Sequence, residues 1–153
     1  MSSSGSDHYI LFTVNGTTYA LPSQDVAHVE MIEQVTSVPN AAAFVDGVVF
    51  SRGHVVPAVN LRARFGFDRA ASDLRSRLLV VQVNGRSVGL LVDSCREFLT
   101  IPPASIQPPG DALTATVNTS YLAGITTIGD RVVVILNLET LLTSAEPLTA
   151  VSA

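Results

Sequence analysis

"FTVNGTTYALPSQDVAHVEMI", residues 12–32, decides the fold, because the chain writes it again as "VQVNGRSVGLLVDSCREFLTI", residues 81–101. Each copy reads as strand, Asn-Gly turn, strand, polar pair and a further apolar stretch. Asn15-Gly16 and Asn84-Gly85 stand 69 positions apart. Asn-Gly between alternating apolar runs is the strongest short hairpin signal, since both residues accept the positive φ of a type I′ turn. First hairpins are therefore expected over Tyr9–Val14 with Thr18–Leu21 and over Leu78–Val83 with Ser87–Val92, and the two Asn-Gly turns should superpose.

Downstream the duplication continues. "GVVFSRGHVVPAVNLRARF" from Gly47 parallels "GITTIGDRVVVILNLETLL" from Gly124, with Asn60 matching Asn137 and Leu61 matching Leu138. The offset has grown to 77, and the extra length lies in "PPASIQPPGDALTATVNTS", a loop composition. Short strands rich in Val, Ile, Thr and Tyr with regular turn signals predict an all-β protein. Two similar small barrels, packed together, protect the sheet edges. Helix is expected only as single turns at Ala42–Val45, Leu61–Phe65 and Pro103–Ile106, and over Asn137–Ser144 with Asn137 as N-cap. The domain is read over 9–145, with lobes at about 12–77 and 78–143, room for exchange of a terminal strand, and mobile tails over 1–8 and 146–153.

Composition narrows the function classes. The 153 residues are 47% hydrophobic and 14% charged, enough to bury a core, and the net charge is −4. Lysine is absent, so a Walker-type phosphate loop is excluded. With no basic patch interleaved with aromatics, nucleic-acid binding is not expected. Apolar runs such as Val132–Leu136 fall far short of a membrane span, and the polar start MSSSGSDH lacks the apolar core of a signal peptide. One cysteine, Cys95, allows no internal disulfide and fits a reducing, cytoplasmic setting. Within "LVDSCREFL" it reads as a buried small hydrophobe. His8, His28 and His54 lie in separate segments without ligand spacing, so no metal and no cofactor are expected. No nucleophile elbow or convergent acid–base set is visible, and the chain is not read as an enzyme.

The order and spacing of "FTVNGTTYALP", "VPNAAAFVDGVVFSRGHVVPAVNLRARFG", "VGLLVDSC" and "YLAGITTIGDRVVVILNLETLL" resemble the CheW family of chemotaxis coupling proteins and the related regulatory domain of CheA kinases. The similarity runs from about Tyr9 to about Thr143. It implies two SH3-like five-stranded β-barrel lobes and an adaptor role in signal transduction. The implied partners are a CheA-type histidine kinase regulatory domain and the cytoplasmic tip of a methyl-accepting chemoreceptor. The implied place is the cytoplasm, recruited to membrane receptor arrays without membrane insertion. Two alternatives stand beside this reading: a coupling protein of a non-motility chemosensory pathway (pili, biofilm), and a small β-barrel ligand-binding protein or enzyme.

The resemblance also selects site residues. Arg52-Gly53 falls where the family commonly has an Asn-Leu-Arg-Gly turn, here Phe50-Ser51-Arg52-Gly53, and implies a role for Arg52 in coupling, with Gly53 making the bend that aims it. His28 stands where relatives often carry an acidic residue, and Phe98 where they carry valine. Val26, Val29 and Phe98 occupy matched strands of the two copies, and a groove between the lobes lined by them would suit a partner helix. Gly47, at the start of its hairpin, joins the partner-facing candidates, although a backbone bend explains it as well. Arg62 and Arg64 read as a solvated face.

Overall fold

The computed structural model describes residues 7–32, 34–108 and 121–143. The expected C-terminal tail, residues 1–6 of the N-terminal one and most of the Pro-rich loop lie outside the described residues; His8 already belongs to the first strand. Ten strands follow in chain order: β1 His8–Val14, β2 Thr17–Pro22, β3 Val26–Met31, β4 Val45–Ser51, β5 His54–Asn60, β6 Arg77–Val83, β7 Arg86–Val92, β8 Ser94–Thr100, β9 Leu122–Ile128 and β10 Arg131–Leu136. Short helices α1, Leu61–Arg64, and α2, Leu138–Thr143, follow β5 and β10. Asn60 Oδ1 accepts from Ala63 N–H at 3.1 Å and Asn137 Oδ1 from Thr140 N–H at 3.2 Å, so matched asparagines cap matched helices. Pro103–Ser105 is a 3-10 turn, whereas Ala42–Val45 closes only a bend, from Val45 N–H to Ala42 O.

The strands form two five-stranded sheets, ordered β8-β1-β2-β10-β9 and β3-β6-β7-β5-β4. These are the two SH3-like lobes. Replacing each strand by its counterpart in the other copy converts one order into the other, down to the parallel pairs β2–β10 and β7–β5. The Asn-Gly turns match too: Asn15 and Asn84 have φ 52° and 51°, followed by Gly16 at 84° and Gly85 at 77°.

The lobes are not the contiguous halves 12–77 and 78–143. Each first hairpin crosses over, so β1 and β2 complete the sheet of β8–β10, and β6 and β7 complete that of β3–β5. Burial explains the exchange. Ile10, Phe12 and Val14 on β1 and Leu79 and Val81 on β6 face a large core shared by both sheets. The alternate residues face inside one lobe: Tyr9 and Leu11 join Ile101 and Ile135, while Leu78 and Val80 join Val49 and Val56. Strands covered on both faces are apolar throughout, which is why β1 and β6 read as unbroken apolar runs.

Candidate functional site

The β4–β5 hairpin turns on Arg52 and Gly53, with φ 50° and 85°. This is the geometry of the two Asn-Gly turns, carried by arginine in place of asparagine. A left-handed backbone costs an ordinary side chain roughly 1–2 kcal/mol, least for Asn and Gly. The Arg52 side chain is two-thirds exposed, and its Nε donates to Glu30 Oε2 at 3.3 Å. The same carboxylate oxygen accepts from Ser51 Oγ at 2.7 Å and lies 2.8 Å from His28 Nε2. His28 Nε2 is also 3.3 Å from Ser51 Oγ. β3 and β4 are the two edges of their sheet, so these side chains bridge the seam of the lobe where no strand ladder runs.

Apolar surface surrounds this seam. Phe50 is 75% exposed, Met31 60% and Val55 65%, and Phe50 faces Val55 across the hairpin. A concavity of ≈ 610 Å³ is lined by Glu30, Met31, Gln34, Phe50 and Arg52 with Val49 and Leu78 at its floor. Lone exposed apolar residues are ordinary; here three of them cluster beside an arginine held in a left-handed backbone.

Other expected site residues fall elsewhere. Gly47, with φ 148°, lies where a Cβ would stand 2.0 Å from Thr36 O, and its neighbour Val48 exchanges both backbone hydrogen bonds with Thr36 at 2.8 Å. Close backbone approach accounts for this glycine. Val26 and Val29 are half-buried against the core between the sheets. Both keep part of their surface exposed while packing on this core. Phe98, matched to Val29 in the repeat, is 66% exposed on edge strand β8 of the other sheet. It borders a concavity of ≈ 250 Å³ with His8, Tyr9 and Leu99. The seven candidates therefore separate into a seam group (His28, Arg52, Gly53), a remote exposed Phe98, two half-buried valines on β3 and Gly47 at its close backbone contact.

Arg62 and Arg64 form no solvated face. Arg62 grips Asp93 through Nε–Oδ1 at 3.0 Å and Nη2–Oδ2 at 2.8 Å, and reaches Asn15 Oδ1 at 3.2 Å, tying α1 to the first hairpin of the other sheet. The Asp93 hydrogen bonds push the Arg62 pKa further up. Arg64 is 8% exposed, stacks between Phe44 and Tyr121 at 4.5 and 4.7 Å, and donates to Leu141 O at 2.7 Å. Phe44 and Tyr121 are repeat counterparts, as are Arg64 and Leu141, so this arginine sits at the junction of the two copies. Alternation on so short a helix cannot reveal that. Cys95 is buried, and desolvation lifts its thiol pKa to about 11. Among the described residues, no three His, Cys, Asp or Glu side chains converge as metal ligands.

The family model for the CheW-like domain matches residues 8–146. A chemotaxis protein CheW from Rhizobium meliloti is 32% identical over 142 residues, covering 93% of this chain and 91% of that protein. Another from Klebsiella aerogenes is 29% identical over 138 residues, covering 90% and 82%. The crystal structure of the scaffolding protein TtCheW from Thermoanaerobacter tengcongensis is similar with a TM-score of 0.82 at 28% identity, over 91% of this chain and 89% of that one.

Proposed function

The chain belongs to the CheW-like domain family, and from that premise we propose that it couples chemoreceptors to a CheA-type histidine kinase by docking to both, with no turnover of its own. One observation carries the site: Arg52 holds a left-handed turn position that its repeat counterpart gives to Gly129 and that the first hairpins give to Asn15 and Asn84. A chain that needed only the turn would use Asn-Gly; arginine there trades stability for a projecting guanidinium fork. Beside it, Phe50, Val55 and Met31 supply apolar contact area, and the carboxylate of Glu30 limits the paths the fork can take. This is a surface for a folded partner rather than a small-molecule pocket.

Phe98 lies on an edge strand of the other lobe and offers a second surface. Two surfaces on two rigidly joined lobes suit a protein that holds kinase and receptor together. Bridging raises the effective concentration of one partner near the other, so modest contacts suffice. Receptor signals then act as a bias between docked geometries, and the protein takes its place at the membrane array from its receptor partner.

The test is capture of purified kinase regulatory domain and receptor-tip fragments, singly and together, alongside kinase autophosphorylation in reconstituted receptor arrays. Simultaneous capture of both is expected. A protein that captures neither, or a folded Arg52→Asn variant that couples normally, overturns the proposal.

A further inference from the structure

The two lobes close their seams differently, and the difference is chemical. In the lobe of β8 and β9 the seam positions are Leu99 and Ile128, which pack on that lobe's apolar core, with the Glu97–Arg131 pair at 2.8 Å outside them. Their repeat counterparts in the other lobe are Glu30 and Ser51, hydrogen-bonded at 2.7 Å, with His28 and Arg52 on the same carboxylate oxygen. One seam is therefore apolar with a permanently charged pair, and the other contains an imidazole.

We propose that His28 is a proton-operated latch on Arg52, which makes the docking pose of the β4–β5 hairpin pH-dependent; the consequence for docking rests on the coupling role assigned to Arg52 above. With His28 neutral, Arg52 is the one cation among the described residues paired with Glu30 Oε2. Protonated His28 brings a second cation to the same oxygen, at 2.8 Å against 3.3 Å for Arg52. The His28–Glu30 pair is the more sheltered, each side chain being 22% exposed while Arg52 is 66% exposed. Shelter from solvent strengthens an ion pair, so the imidazolium keeps the carboxylate, repels the guanidinium and releases it.

Among the described residues, the surroundings hold few competing charges. On β6, His28 and Glu30 lie opposite Val80 and Leu78. Arg77 on that strand points its guanidinium at the Leu74 and Ser76 carbonyls. On the hairpin, the other titratable groups are His54, exposed and opposite Ser51, and Asp46 near the start of β4, held by Asn60 and Arg69. Imidazole is the side chain whose charge ordinarily changes between about pH 5 and 8.

The experiment is an NMR pH titration of the free protein over that range, following the His28 ring, the Arg52 Nε–H and the Gly53 amide. One shared step is expected for all three. It should persist in His54→Gln, and the Arg52 and Gly53 steps should vanish in His28→Gln and in Glu30→Gln. A His28 step with pH-independent Arg52 and Gly53 signals overturns the latch, as does a hairpin step that survives His28→Gln. If His28→Gln fails to fold, Glu30→Gln decides alone, since there His28 still titrates but the hairpin must not respond. Kinase capture then separates the two ideas: it should weaken roughly two- to five-fold at the acidic end for the native chain and stay flat for His28→Gln. A shared NMR step with flat capture leaves the latch standing and sinks the docking role of Arg52.

Discussion

Arg52 holds a backbone conformation that favours asparagine or glycine over arginine. Arg52→Asn relieves a left-handed arginine and removes an exposed ion pair worth ~0–1 kcal/mol, while asparagine suits the turn. The melting temperature should stay level or rise by up to about 3 °C, while receptor control of the kinase falls; a clear drop in melting temperature would show that the turn needs the arginine. Arg52→Lys, which keeps charge but loses the fork, should impair coupling less than Arg52→His, as measured by autophosphorylation in receptor arrays. Gly47 lies at the opposite extreme. Gly47→Ala forces a Cβ to 2.0 Å from Thr36 O, and because the contact is backbone on both sides, thermal melts should show destabilisation of at least ~2 kcal/mol or no folded protein. Cys95, with its thiol pushed up to about 11 and buried, should resist alkylation in the native protein at neutral pH and react on denaturation.

Strands β3 and β8 are counterparts in the repeat, yet their side chains meet different surroundings. Val26 and Val29 on β3 are half-buried against the shared core, so Val26→Asp should cost roughly 1–3 kcal/mol in a denaturant melt. Phe98 on β8 stands mostly in solvent, so Phe98→Ser should leave stability within ~0.5 kcal/mol and instead weaken partner capture. Equal destabilisation by the two substitutions would contradict this assignment. Val26 corresponds in the repeat to buried Cys95, and Phe98 to half-buried Val29, so the two copies agree at the first position and diverge at the second.

At the scale of the whole molecule, the exchange of hairpins governs stability. Each sheet takes two strands from one half of the chain and three from the other. Arg62 and Arg64 then tie the junction: one holds Asp93 and Asn15, the other sits between Phe44 and Tyr121. Cutting the chain in the exposed segment between Phe67 and Leu74 should therefore give two fragments that are unfolded apart and regain β-sheet circular dichroism when mixed. A fragment that folds alone with a cooperative melt would mean that contiguous lobes are stable after all.

The duplication, the all-β class, the hairpins and the Asn137 cap were legible in the residues, because Asn-Gly turns, strand-forming runs and N-caps are local chemistry; that Asn60 caps its helix too followed only from its repeat match. The place of Arg52-Gly53 was legible as well. The left-handed backbone of Arg52 was not, since only asparagine and glycine announce that conformation and arginine does not. Nor was the carboxylate that collects His28, Ser51 and Arg52, because Glu30 stands 21 and 22 positions from the latter two. Strand exchange and the burial of Arg64 belong to the tertiary structure for the same reason. The two copies are alike enough that either pairing satisfies the local patterns, and the choice is made by the large apolar core that forms only when both sheets close over β1 and β6.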